Sequence, residues 1–191
     1  MRTLTAYGHS WVRGSGATAP ERGFVDLVAR SFGLRVDNRG VGGTLSTRTA
    51  ELVCRAAQPF SAVYLVMTGL NDSRLHGGSP RALAEYGSAL DAILRTLLLA
   101  SPEATIAVVE QPRLLDYSRH APHDRGTDEL VDRFNDVLRQ AVARSDRAVA
   151  VPVDGWDVSA MLDDDTVHPN DVGHAEIARA VAVTLGSSVR E

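Results

Sequence analysis

Three side chains in this sequence are of the types that together activate a hydroxyl. Ser10 follows Gly8 at the end of a short apolar run, Leu4 to Tyr7. A serine hydroxyl is a poor nucleophile near neutral pH and needs a positioned base to take its proton. Histidine is the natural base, because its pKa lies near the operating pH. His168 has a carboxylate, Asp165, three residues earlier. In a turn or a first helical turn, that spacing brings both side chains to one side. Asp165 would then accept from one ring nitrogen and leave the other facing Ser10. Attack on a carbonyl creates an oxyanion that needs preorganised donors. The backbone N–H of Ser10, the N–H of Gly43 in a glycine turn and the side-chain amide of Asn71 are suitable donors.

These residues are far apart in the chain, so its elements must bring them together. Short apolar runs at Leu4–Tyr7, Leu34–Val36, Ser61–Met67, Thr105–Val109 and Ala148–Val153 read as strands. Between them lie helical stretches. Pro20 opens one that Gly33 stops, and Thr44 or Ser46 caps another running to about Ala57. Ser79-Pro80 starts a long helix, Thr127-Asp128-Glu129 starts one with a clean apolar stripe, and Asn170 or Asp171 begins the last. Strands alternating with helices predict an α/β fold, a five-stranded parallel sheet between helices. In such sheets, sites gather in the loops beyond the carboxyl ends of the strands. Ser10, the glycine turn, Asn71 and the Asp165/His168 segment all fall there. No repeat, linker or low-complexity tract divides the chain, so residues 1–191 are read as one domain.

Composition excludes some classes of function. A net charge of -4 gives no electrostatic reason to expect nucleic acid or an anionic membrane as partner. No apolar run approaches the ~20 residues of a membrane span, and the N-terminal run is too short for a signal peptide. The expectation is a soluble, cytoplasmic protein. All 20 basic side chains are arginine, which hints at a GC-rich bacterial genome. Cys54 has no partner for an internal disulfide and is expected to be a buried structural thiol. His76, His120, His123 and His174 match no zinc spacing and are expected on a solvated surface, as are Asp163 and Asp164. Asp72 is expected to bond backbone in its own turn. Asp157, eleven residues before His168, is a weaker rival to Asp165.

Four blocks carry a resemblance: Gly8-His9-Ser10, Asn38-Arg39-Gly40-Val41-Gly42-Gly43, Gly69-Leu70-Asn71-Asp72 and Asp165-Thr166-Val167-His168-Pro169-Asn170. In this order, across nearly the whole chain, they resemble the four blocks of the SGNH (GDSL-type) hydrolases. The resemblance implies a three-layer, flavodoxin-like α/β/α sandwich and an acyl-ester hydrolase that works through an acyl-serine, without metal or cofactor. It implies Ser10 as nucleophile, His168 as base and Asp165 as its orienting acid. Ser10, Gly43 and Asn71 correspond to the oxyanion hole, with Gly43 preferred to Gly40 or Gly42 from its place in the family's turn.

The chain departs from the family at His9 and Thr44, where aspartate is usual. His9 is read first as a hydrogen-bonding scaffold, and secondly as a substrate-contacting group that tunes the site, by meeting an acyl acceptor or by adding positive charge near the oxyanion. Trp11 is read as either core or a wall of the acyl pocket. Residues 111–125 form a long loop, read as a substrate-binding lid that offers Leu114 and Tyr117. Its leucines and arginines suit an acyl chain joined to a polar or anionic group. The function expected is a serine esterase cleaving a small-molecule acyl ester or thioester. An acyltransferase using the same residues is the alternative, and a non-catalytic carbohydrate- or acyl-binding module the third reading.

Overall fold

The five apolar runs pair into one sheet in the computed structural model, which describes residues 2–188. Its strands are β1 (Thr3–Gly8), β2 (Arg35–Asn38), β3 (Val63–Met67), β4 (Thr105–Val109) and β5 (Ala148–Val151). All pairings are parallel, in the order β2-β1-β3-β4-β5. Successive side chains of a strand point to opposite faces, and the central strands sort accordingly. Leu4, Leu65, Met67, Ala107 and Val109 join the core on one side. Tyr7, Tyr64, Val66, Ile106 and Val108 join the core on the other.

Helices cover both faces. They are α1 (Ser10–Arg13), α2 (Phe24–Ser31), α3 (Ser46–Arg55), α4 (Leu70–His76), α5 (Pro80–Ala100), α6 (Asp128–Val142), α7 (Val158–Met161) and α8 (Asp171–Ser188). α2 and α8 pack on the first face; α3, α5 and α6 pack on the second. The result is the three-layer α/β/α arrangement expected. Ser79 caps α5 by accepting from the Ala82 N–H, and Thr127 caps α6 by accepting from Leu130. Among the described residues, no helix is long and apolar enough to cross a membrane.

Several local expectations need correction. The helix expected from Pro20 to Gly33 is broken: Pro20–Arg22 is a 3-10 turn, and extended Gly23 separates it from α2. Neither Thr44 nor Ser46 caps α3, whose N-cap Leu45 has no side-chain bond. The cap comes from α4 instead. Asp72 reaches beyond its own turn and accepts from the Ser46 N–H at 2.9 Å and its hydroxyl at 2.5 Å. Cys54 is exposed, its sulfur 3.4 Å from the Thr96 hydroxyl. The inward stripe of α3 is Ser46, Thr49, Ala50 and Val53, and Cys54 falls one position past it. His174, expected at the surface, is buried between the Phe24 N–H and the Ser15 carbonyl.

The sheet order matters for the site. From β1 the chain moves outward to β2 and then returns to β3 on the other side, so the switch point lies at the carboxyl ends of β1 and β3. Gly8 closes β1 there at φ 151°, and a Cβ on it would sit 1.9 Å from the Met67 carbonyl oxygen. Only glycine lets the two strand ends approach so closely.

Candidate active site

After Gly8 the chain turns at once into α1. His9 is its N-cap, and Gly14 ends it in the left-handed region. This single turn presents Ser10 at the rim while burying Trp11 and Val12. A second turn carries Asp165 and His168. One oxygen of Asp165 accepts from the Val167 N–H at 2.9 Å and the His168 N–H at 2.8 Å. Its other oxygen lies 2.5 Å from His168 Nδ1. With the ring proton held there, His168 Nε2 is left as acceptor for the Ser10 hydroxyl at 3.0 Å. An unbroken line of hydrogen bonds therefore runs from Asp165 through His168 to Ser10.

The His168 turn is held from several sides. The Asp163 N–H bonds the His168 carbonyl, and the Asn170 amide donates to Ala160 and Leu162 while its oxygen accepts from Val172 and Gly173. Thr166, between the acid and the histidine, stands at φ 66°, an unusual conformation for a β-branched residue. Keeping it there costs roughly 1–3 kcal/mol, which the surrounding bonds offset. Partial burial works against ionising Asp165, but the bonds from His168 and Val167 outweigh it and hold the carboxyl below its ordinary range. Asp157 plays no part in this line; it caps α7 through the Ser159 N–H.

Ser10 and His168 open onto a cleft of about 340 Å³, lined also by Gly42, Gly43, Leu70, Asn71 and Arg74. Gly43 stands at φ 73°, with no neighbour within 4 Å of where a Cβ would be. Asn71 Nδ2 donates one hydrogen to the Thr44 carbonyl at 3.0 Å, which fixes the amide and leaves the other hydrogen free. The Ser10 N–H, first in its helix, has no intrahelical acceptor.

The residues considered for substrate contact lie elsewhere than expected. His9 is buried and turned away from the cleft. Its Nδ1 accepts from the Trp11 N–H, and its Nε2 donates to Gln111 Oε1 at 3.0 Å. Gln111 in turn bonds the carbonyls of Thr68 and Val109, so the imidazole ties three strand ends together as a scaffold. Trp11 is core, stacked on Trp156 at 5.5 Å, while also bordering the cleft. Leu114 is buried in the core, and the Tyr117 hydroxyl accepts from the Leu114 N–H and donates to Asp128; neither lines the cleft. The 111–125 loop meets the cleft with its far end instead. His120 and His123 line it, and the His120 ring lies 2.9 Å from the Asp165 carbonyl. Neither histidine, nor Arg74, was among the expected site residues. Arg74 follows Asn71 by three, a helical spacing that is readable once residues 70–76 are recognised as helix.

The scaffold role of His9 has a pH consequence. Burial pushes its pKa down to about 4; the Gln111 bond opposes this, and the charges of His168 and Arg74 add to it. Unfolded, the ring titrates near 6.5, so between about pH 6.5 and 4 the unfolded chain binds a proton that the folded chain does not. Stability is complete above that window and falls as pH drops through it, by on the order of 3 kcal/mol at its lower end. His174, also lowered by burial, acts in the same direction. His9→Gln is expected to flatten, without abolishing, the fall of Tm with pH across this window. Parallel curves for variant and wild type would contradict the assignment.

The profile of the GDSL-like lipase/acylhydrolase family matches residues 6–176. No curated protein matches the sequence. Solved structures with similar folds include the crystal structure of TesA, at 19% identity and TM-score 0.73, covering 96% of this chain and 98% of that one. A family 3 carbohydrate esterase of Clostridium thermocellum shares 16% identity at TM-score 0.73, covering 99% and 97%. The salicylyl-acyltransferase SsfX3, from a tetracycline biosynthetic pathway, shares 16% at TM-score 0.74, covering 97% of this chain and 54% of its own.

Proposed function

The chain belongs to the GDSL-like lipase/acylhydrolase family, and we propose that it is a serine esterase cleaving small acyl esters or thioesters through an acyl-Ser10 intermediate. The observation that carries this reading is the hydrogen-bond line from Asp165 through His168 to Ser10, opening on a cleft with free donors around it. His168 Nε2 takes the hydroxyl proton as Ser10 Oγ bonds to the carbonyl carbon. The N–H groups of Ser10 and Gly43 and the Asn71 amide receive the oxyanion. The tetrahedral species collapses as His168 returns its proton to the departing alcohol or thiol, leaving the acyl-serine. Water, deprotonated by His168, then releases the acid by the same steps in reverse. Residues 1–191 act in this scheme as one hydrolase domain.

A panel of nitrophenyl esters and thioesters of increasing acyl length tests the reading. Turnover of the short members is expected, since the cleft is small and open; none across the panel would refute it. Asn71→Ala is expected to lower kcat by about 10²–10³ with little change in KM, because its amide meets charge that exists only after attack. A fall in KM-dependent binding alone would argue against an oxyanion role. The salicylyl-acyltransferase among the similar structures keeps acyl transfer as the second reading. Partitioning of the acyl-enzyme between water and added alcohols or amines separates the two.

A further inference from the structure

Among the described residues, Arg74 is the one strongly charged side chain lining the cleft, and no carboxylate lines it, although the chain carries net negative charge. It is 4% exposed. Its Nε and Nη2 are buried without any hydrogen-bond partner. Its stem packs beside Gly126 and the Tyr117 ring, and its carbonyl accepts from the Arg125 N–H, so the loop seats over it. The carboxylate whose charge acts on it, Asp165, already has both oxygens engaged by Val167 and His168. None of the loop arginines lines the cleft: Arg113 pairs with Asp132, and Arg119 approaches the Asp164 carbonyl.

A buried guanidinium with empty donors is costly to maintain, and the cost is offset when an anion enters. Its planar fork matches a carboxylate in particular. Arg74 follows Asn71 by three residues on α4, so a group bound to it lies beside the proposed oxyanion site. We propose that Arg74 is a specificity residue that binds a carboxylate carried by the substrate close to its scissile ester. This rests on the esterase reading of Ser10, and it narrows the substrate class to esters of small acids bearing a second, ionised carboxyl.

Two matched substrate pairs test it. On the acyl side, the nitrophenyl ester of succinate is compared with that of 4-methylpentanoate. On the alcohol side, O-acetyl-lactate is compared with O-acetyl-lactamide. In at least one pair, wild type is expected to favour the anionic member. Arg74→Gln should lower the anionic-to-neutral ratio of kcat/KM roughly 30-fold or more, and Arg74→Lys should recover part of it. A ratio that moves less than about threefold in both pairs overturns the proposal, as does an equal loss on both members. Should Arg74→Gln fail to fold, wild type alone decides. Succinate is expected to compete with the neutral ester where succinamide does not, and equal inhibition, or none by either, overturns it. If wild type cleaves neither pair but turns over the short nitrophenyl esters, this inference alone is overturned. If it cleaves neither the pairs nor that panel, the esterase reading falls and this inference falls with it.

Discussion

Ser10→Ala is expected to lower kcat/KM for a short nitrophenyl ester by about 10⁵–10⁶, with the fold and Tm retained. The hydroxyl is the group bonded to the basic nitrogen of His168. Ser15 also lines the cleft, but no such base is bonded to its hydroxyl. His168→Ala should lose nearly as much, and the double variant little more than either alone. Groups that act as one unit are not additive: once the base is gone, a hydroxyl without an acceptor for its proton contributes little. Losses that multiplied in the double variant would mean that the two side chains act in separate steps. The rate that remains in these variants measures what the cleft and the oxyanion donors supply alone.

Asp165→Asn is expected to cost about 10³–10⁴ in kcat with KM little changed. One oxygen of Asp165 receives two backbone N–H groups, so an asparagine must keep its own oxygen there to preserve the turn. Its NH₂ then faces His168 Nδ1. The ring is driven to the opposite tautomer, with its proton on Nε2 pointing at Ser10, where it can no longer accept. Asp165→Ala frees the ring but also leaves the two N–H groups unpaired, so it should lower Tm as well. Similar activity for Asp165→Asn and wild type would show that the tautomer is not set by this carboxyl.

Much of this arrangement was readable from residue types alone. The strands announce themselves as apolar runs. Ser10, Gly43 and Asn71 stand shortly past one, where parallel sheets place their sites, while Asp165 and His168 follow β5 only after α7. The order of the four motifs then fixes the pairing of Ser10 with a histidine near the other end of the chain. What could not be read were features without a period. α1, α4 and α7 span four to seven residues, too few for an apolar stripe to repeat. Without a stripe to mark α4, Asp72 reads as serving its own turn although it caps α3, and the helical spacing of Asn71 and Arg74 carries no signal. The loop after β4 misled for another reason. Leu114 and the Tyr117 ring pack against the core, while the polar His120 and His123 reach the cleft. His9 was legible as a scaffold, but its partner Gln111 was not, since nothing local links residues a hundred apart.

Covalent labelling tests the central claim most directly. Diethyl nitrophenyl phosphate, an ester that phosphorylates an activated serine without ready release, is incubated with the protein, and the tryptic peptide Thr3–Arg13 is sequenced by mass spectrometry. The expected result is one phosphoryl group per chain, on Ser10, with one nitrophenolate released for each. His168→Ala should label far more slowly and Ser10→Ala not at all. Label on Ser15 or another residue, or equal labelling of Ser10→Ala, would contradict an acyl-Ser10 mechanism.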